Sequence, residues 1–167
     1  MSGTGKHRQI VDESDNLIGH KWKEEFDPTK DIWRVSALWL RNSNSEVLLT
    51  QRGLRKRSGG GLWGPAVAGT LEHDETYEDN IVKEIAEEIG LTGLKLERGK
   101  KRLFDAGDRR YFCTYFYGMS DQSAEAFVLG ERAVEAVKWV SEEWLPTIFC
   151  AIRMHMLGEW PITYRAL

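Results

Sequence analysis

The sequence contains little cysteine. Only Cys113 and Cys150 occur among its 167 residues, far apart and in no metal-ligand spacing. A small secreted fold held together by disulfides is thereby excluded, and we interpret both residues as buried or free thiols in a reducing compartment. The apolar fraction of 41% is sufficient for a hydrophobic core without covalent cross-links. The length suits one domain of ordinary size.

Long hydrophobic runs are also missing. No apolar run follows residues 1–6, as a signal peptide would require, and no stretch approaches the length of a membrane span. The net charge of -3 argues against general affinity for nucleic acid. We therefore predict a cytoplasmic protein whose partner is a small molecule and neither a nucleic acid nor a membrane, and we leave a homodimer open. A local basic cluster could still bind a small anion.

The chain has no internal repeat and no Pro/Ser-rich linker, so we predict one domain over residues 1–167. Residues 1–30 form an N-terminal extension with a hairpin at 8–26, since β-type segments flank a turn at residues 14–16. Further strands are expected at 32–40, 47–50, 62–68, 94–104, 109–118 and 134–140. Helices are expected at 76–89 and from about Ser141 to Leu157. This order predicts an α/β fold with helices packed on a mixed sheet.

The helix at 76–89 has clear end points. Thr76 and Asp79 have the spacing of a capping box, and Gly90 is a typical C-terminal stop. Apolar residues recur at helical spacing and are expected on one arc: Ile81, Val82, Ile85 and Ile89.

A second arc of this helix carries three glutamates, Glu84, Glu87 and Glu88. Their spacing of i, i+3 and i+4 makes them neighbours, and like charges at this spacing repel. An acidic, solvated surface is one interpretation. The other is a site for a hard cation such as Mg²⁺, which prefers oxygen ligands. The glycine-containing turn that precedes the helix, Ala68-Gly69-Thr70, favours the cation site.

Residues 69–91 resemble the Nudix box, G-x5-E-x7-R-E-U-x-E-E-x-G-U, where U is a bulky aliphatic residue. The fixed positions that match are Gly69, Glu75, Glu84, Ile85, Glu87, Glu88, Gly90 and Leu91. One position departs, because Lys83 stands where the family has arginine. The resemblance implies an α/β/α sandwich around a mixed sheet and the activity of a pyrophosphohydrolase, which cleaves a diphosphate linkage in an organic substrate.

The resemblance also implies roles for individual residues. The glutamates matching Glu84, Glu87 and Glu88 bind Mg²⁺ or Mn²⁺ in the family, often with a backbone carbonyl near the first box glycine, here that of Ala68 or Gly69. One of these glutamates, or a downstream glutamate, acts as general base, and the family varies in which residue takes that role. The residue matching Glu75 pairs with the box arginine, so Lys83 has to take that partner. Lysine lacks the bidentate fork of arginine, which bears on the rigidity of the loop rather than on the metal site.

Many family members carry a further metal-binding glutamate about six residues before a Trp-Val strand. Here the strand contains Trp139 and the matching position is Ala133. Glu131 and Glu135 flank that position and are candidate substitutes. The alternative for both is a solvated loop acid without function.

Segments outside the box resemble the subgroup related to isopentenyl diphosphate isomerases, namely residues 11–19, 48–52 and 61–63. In those isomerases a Cys-Gly-His follows the Trp-containing strand, whereas this chain has Ala68-Gly69-Thr70. Isomerisation by proton transfer needs an acid/base pair there. The missing thiol and imidazole therefore indicate a hydrolase rather than an isomerase, which stays a remote alternative.

A basic loop precedes three consecutive glycines. It contains Arg52, Arg55, Lys56 and Arg57. Positions matching Arg52 and Lys56 contact the substrate diphosphate in the isomerase-like relatives, and charged donors of this kind can clamp a diphosphate. We therefore predict that Arg52, Lys56 and Arg55 bind substrate, with a solubilising surface loop as the alternative.

Two further groups are less informative. Aromatic residues crowd the strand at 109–118, where core packing is expected and stacking on a base or prenyl group is the alternative. The four histidines show no ligand spacing, so we expect surface or satisfied roles. A non-catalytic Nudix-fold module that binds or regulates remains the alternative to the enzyme.

Overall fold

The computed structural model describes residues 7–56 and 59–144. It contains one α-helix, α1 (Tyr77–Ile89), and nine strands within these ranges. The strands are β1 (His7–Val11), β2 (Leu17–Trp22), β3 (Ile32–Arg41), β4 (Glu46–Arg52), β5 (Trp63–Gly64), β6 (Val67–Thr70), β7 (Glu97–Asp105), β8 (Arg110–Met119) and β9 (Val134–Ser141). No described helix is long and apolar enough to cross a membrane.

The sheet is built around β3, a ten-residue strand that is mostly buried. Strand β8 runs parallel to β3 along its whole length, from Ile32 opposite Arg110 to Arg41 opposite Met119. Strands β1, β4 and β6 pair with β3 in the antiparallel sense. The predicted mixed sheet is therefore confirmed. The N-terminal hairpin of β1 and β2 continues the same sheet.

Helix α1 begins and ends as the sequence predicts. The Thr76 side chain accepts a hydrogen bond from the Asp79 backbone N–H, and the Asp79 side chain accepts from the Thr76 backbone. Gly90 ends the helix in the left-handed conformation, with φ of 70°. The predicted apolar arc of this helix is wrong at one position, Val82. Val82 is 57% exposed, whereas Glu84 lies on the buried side at 9% exposure.

The core lies on both faces of the sheet because alternate residues of a strand point to opposite sides. Leu38 and Leu40 of β3 pack with Ile81 and Ile85 of α1. Ala37 and Trp39 pack on the opposite face, with buried residues of β4 and β8 that include Cys113. The helix-side core fixes α1 against the sheet and thereby fixes the glutamates.

Two predicted elements of secondary structure differ from those in the structure. The strand expected at 62–68 is two short strands, because Pro65 has no N–H to continue the ladder. As a result β5 pairs with β4, whereas β6 pairs with β3. The predicted final helix starts as a 3-10 turn at Glu142–Trp144. The rest of that helix and Cys150 lie outside the described residues, as does Arg57.

Candidate active site

The first box glycine lies directly against a buried glutamate. A Cβ added to Gly69 would be 2.7 Å from Oε1 of Glu84 and closer still to its Cγ. Only a residue without a side chain fits this approach. Strand β6 and helix α1 therefore meet at Gly69, and the Glu84 carboxylate is held at the end of the strand.

Glu88 lies one turn further along the same face of α1. Its Oε2 accepts a hydrogen bond from the backbone N–H of Ala68, at 3.4 Å. Burial and the neighbouring charge of Glu84 raise the pKa of Glu88 to about 7, although this N–H and the positive charges of Lys56 and Arg52 oppose the shift. Two repelling carboxylates thus converge on strand β6 at residues 68–69.

This arrangement fits a divalent cation of the Mg²⁺ class. Such an ion takes one or two carboxylates and completes its shell with water and substrate phosphates. Glu84 and Glu88 could supply the two carboxylates, and a cation between them would relieve their repulsion. Glu87 is on the exposed side of α1. Among residues 7–56 and 59–144, no three His, Cys, Asp or Glu side chains are close enough to hold a metal by themselves.

Lys83 is placed where the box arginine would be. Its ammonium group donates to Oε1 of Glu75 and lies 3.3 Å from Glu72 and 3.9 Å from Glu84. Partial burial opposes the charged amine, but the hydrogen bond and charge of Glu75 outweigh it and raise the pKa of Lys83. The contact expected between Lys83 and Glu75 is therefore present.

Glu75 connects the loop before α1 to its surroundings. Its Oε2 accepts from the backbone N–H of Glu72 at 2.9 Å and from the side-chain amide of Asn80 at 2.8 Å. The buried amide of Gln9 in β1 donates to the backbone carbonyls of Glu72 and Glu75. The N-terminal hairpin thus braces the loop, a contact that no pattern in the sequence indicates.

The basic loop faces the same site. Arg52 ends β4, and both Arg52 and Lys56 are close enough to Glu88 for their charges to lower its pKa. Arg55 and Lys56 are exposed and line an open cavity of about 500 Å³ together with Arg132. The structure therefore brings Arg52 and Lys56 close to the acidic helix and places Arg55 beside Lys56 on the cavity wall. It also places Arg132 there, a residue that no motif in the sequence indicates.

The two candidates for an additional metal ligand lie on the protein surface. Glu131 and Glu135 are both exposed, and neither is among the charges that act on Glu88. Ala133 occupies the matching position, and its carbonyl accepts from the backbone N–H of Gly53 at 2.9 Å. A metal-binding role for Glu131 or Glu135 stays a prediction.

Several residues outside the site fill structural roles. Burial raises the pKa of the Cys113 thiol to about 12, as for an inert core thiol. Phe112, Tyr115 and Phe116 are buried, in agreement with core packing of this strand. Three histidines have the surface or satisfied roles expected, and they also meet one another: the rings of His20 and His73 stack at 3.9 Å and that of His7 lies 5.7 Å from His73. Their distant positions in sequence concealed this contact.

The amino-acid sequence is similar to those of known proteins. A family model described as NUDIX domain matches residues 31–158. An uncharacterized Nudix hydrolase of Pseudomonas aeruginosa is 28% identical over 155 residues, covering 87% of this chain and 90% of that protein. A prenyl-diphosphate phosphatase of Methanosarcina mazei is 31% identical over 139 residues, covering 80% of this chain and 78% of that protein.

The resemblance to isopentenyl diphosphate isomerases is confirmed, over a smaller share of the chain. The isopentenyl-diphosphate Delta-isomerase of Salmonella paratyphi B is 29% identical over 89 residues, which is 53% of this chain and 49% of that protein. A crystal structure of a Deinococcus radiodurans protein superposes with a TM-score of 0.75 at 20% identity, covering 87% of this chain and 90% of that one, and supports the α/β fold. The chain belongs to the Nudix family of hydrolases.

Proposed function

We propose that this protein is a metal-dependent pyrophosphohydrolase that cleaves the diphosphate linkage of an organic diphosphate. One observation carries the proposal: the pKa of Glu88 is raised by the neighbouring charge of Glu84 and lowered by the positive charges of Arg52 and Lys56, so charges of both signs lie close to this carboxylate. Diphosphate hydrolysis needs both signs of charge in one place, since a cation must be held and the phosphate oxygens must be neutralised.

The cation would be Mg²⁺ or Mn²⁺. Glu84 and Glu88 would hold it, with Glu87 and the backbone carbonyl of Ala68 or Gly69 as further ligands. When bound, such an ion neutralises phosphoryl oxygens and lowers the pKa of a coordinated water. Glu131 and Glu135 are retained as weaker candidates for an additional ligand.

Side chains of this protein would bind the substrate, hold the loop in place and accept a proton. Arg52 and Lys56, with Arg55, would bind and orient the diphosphate by charge-assisted hydrogen bonds. The pair of Lys83 and Glu75 would keep the loop and helix in register. One glutamate of the site would accept the proton of the attacking water.

The organic group is nucleoside-like or prenyl-like. The prenyl-diphosphate phosphatase relative supports the prenyl class. A second observation agrees with it, because Leu54 and Leu62 on the basic loop are 64% and 51% exposed. Both pack on the turn at residues 59–61 and offer apolar surface next to the cations.

Activity measurements test this proposal. Hydrolysis with Mg²⁺ or Mn²⁺ is followed by separating the products of nucleotide sugars, dinucleoside polyphosphates, nucleoside triphosphates and prenyl diphosphates, which are phosphomonoesters, diphosphate or inorganic phosphate according to the substrate. The variants Glu84→Gln, Glu87→Gln and Glu88→Gln should lose metal-dependent turnover while remaining folded. Glu24→Gln, an exposed carboxylate in the turn after β2, is the matched control and should keep full activity. Wild-type rates in all three helix variants would refute the assignment.

The other function to consider is a Nudix-fold module that binds a ligand without cleaving it. Its support is that no three metal-binding side chains converge among the described residues. Inactivity with every metal and substrate, combined with saturable binding, would select it. The isomerase alternative predicts an isomeric product without phosphate release. For the enzyme we expect a cytoplasmic location, small-molecule substrates and no nucleic-acid or membrane partner, and a homodimer would be seen in its solution mass.

A further inference from the structure

A short turn before β9 is fastened to both halves of the proposed site. The backbone N–H of Gly130 donates to the carbonyl of Glu88 in α1 at 3.0 Å. On the other side, the N–H of Gly53 donates to the carbonyl of Ala133 at 2.9 Å. The turn is therefore held between the acidic helix and the basic loop, and Arg132 lies inside it.

Arg132 has a backbone conformation that arginine rarely adopts. Its φ is 67°, in the left-handed region that favours glycine or asparagine. Gly53 allows the close approach, since a Cβ there would be 3.0 Å from the Arg132 carbonyl carbon. Strain of this kind persists where the surroundings over-determine the backbone, and such places concentrate at ligand-binding sites.

The cavity beside this turn is basic. Its volume is about 500 Å³, and Arg132, Arg55 and Lys56 line it. Within the described residues, none of the three forms an ion pair with an acidic side chain. Since the turn that contains Arg132 is hydrogen-bonded to Glu88 through Gly130, the cavity adjoins the acidic helix. Three cations that have no acidic partner among residues 7–56 and 59–144, at the edge of the proposed site, indicate an anionic ligand.

We propose that Arg132 is a substrate-binding residue that selects diphosphates with a free terminal phosphate. The proposal rests on the proposed function and narrows its substrate class. A terminal phosphate carries about two negative charges at neutral pH, whereas each phosphate of a bridged diphosphate carries one. Three cations match the terminal group better, and guanidinium groups bind its oxygens in pairs. Prenyl and nucleoside diphosphates are therefore preferred over nucleotide sugars.

The first test measures binding without turnover. Imidodiphosphate, a non-hydrolysable diphosphate, is titrated calorimetrically with Mg²⁺ present. The variant Arg132→Asn removes the guanidinium but suits the left-handed backbone, so its Tm should equal or exceed that of wild type. It should bind imidodiphosphate at least tenfold more weakly. Arg109→Gln is the matched control, because Arg109 is exposed in the turn between β7 and β8 and pairs with Asp108.

The second test measures kcat/KM for a nucleoside diphosphate and for the corresponding nucleotide sugar. Wild type should prefer the first, and Arg132→Asn should lose most of that preference. The proposal is overturned by unchanged imidodiphosphate binding in Arg132→Asn, by an equal loss in Arg109→Gln, or by equal effects on both substrates. Absence of turnover, with binding that still depends on Arg132, would overturn the hydrolase proposal and support this one.

Discussion

Gly69 and Glu84 are in direct contact, although fifteen positions separate them in the sequence, and the carboxyl group of Glu84 occupies the space where a side chain at position 69 would lie. The contact joins the end of β6 to the middle of α1. It places one candidate metal ligand beside the part of β6 whose backbone carbonyls could also bind the ion. The glycine of the box is thus a spatial requirement of the site.

Replacement of Gly69 by alanine should abolish metal-dependent activity. The new Cβ would be 2.7 Å from Oε1 of Glu84, so either the carboxylate or the strand has to move. Activity and Mg²⁺ binding should fall at least a hundredfold, with a loss of stability on the order of 1–3 kcal/mol. Gly19→Ala in β2 is the control, because a Cβ there meets nothing within 4 Å. Normal turnover in Gly69→Ala would contradict the geometry.

The bracing role of the Lys83–Glu75 ion pair can be tested with one variant that loses the positive charge and one that keeps it. Lys83→Met leaves the carboxylates of Glu75 and Glu72 without their shared cation, and we expect a loss of stability of about 1 kcal/mol together with lower kcat. Lys83→Arg keeps the charge and should retain activity. Chemical denaturation and steady-state kinetics provide the readouts. Equal behaviour of the two variants would show that the cation has no bracing role.

Removal of the Gln9 amide should lower both stability and activity, because this side chain holds the loop before α1 in place. Gln9 is buried and donates to the backbone carbonyls of Glu72 and Glu75. Gln9→Ala removes both hydrogen bonds and leaves the Glu72 carbonyl only its bond from the Glu75 backbone N–H, at a cost of about 1–3 kcal/mol. We expect a Tm lower by several degrees and reduced kcat. Lys23→Ala, exposed in the turn after β2, should change neither. A wild-type Tm in Gln9→Ala would mean that the hairpin does not brace the loop.

The metal-free protein should lose stability as pH rises from about 4.5 to 7. The folded-state pKa of Glu88 is about 7, above the ordinary value of 4.5. In this interval the folded state holds a proton that the unfolded state has released, so each pH unit lowers the free energy of unfolding by up to about 1.4 kcal/mol. Glu88→Gln should remove the slope and be the more stable protein at pH 8.

Denaturation in the presence of a chelator at pH 5 and pH 8 measures this effect. Glu24→Gln serves as the control and should follow wild type at both pH values. Adding Mg²⁺ at pH 8 should stabilise wild type more than Glu88→Gln, since the ion binds only the folded carboxylates. A Glu88→Gln variant that is less stable than wild type at pH 8 would refute the repulsion between Glu84 and Glu88.

The apolar edge of the basic loop should distinguish substrate classes. Leu54 and Leu62 are exposed, so Leu54→Ser and Leu62→Ser should leave stability within about 0.5 kcal/mol of wild type. If a prenyl chain lies across them, kcat/KM for a prenyl diphosphate should fall about tenfold, whereas that for a nucleoside diphosphate should be unchanged. Equal effects on both substrates would argue against an apolar subsite here.

The sequence by itself determined the local features of this protein. Helix α1 was predicted to within a residue because its capping box, apolar spacing and terminal glycine are contiguous in the chain. The box spacing also identified the family, since Glu84, Glu87 and Glu88 need only one helix to become neighbours. Periodicity correctly predicted most strands, for the same reason.

Only the tertiary structure decided how distant segments meet. The burial of Glu84 and the exposure of Val82 depend on how β6 approaches α1, which helical periodicity cannot show. The brace from Gln9 and the cavity shared by Arg55, Lys56 and Arg132 join residues more than sixty positions apart. Such contacts follow from the pairing of strands around β3 and from the conformation of single residues such as Arg132, because packing rather than local preference selects them.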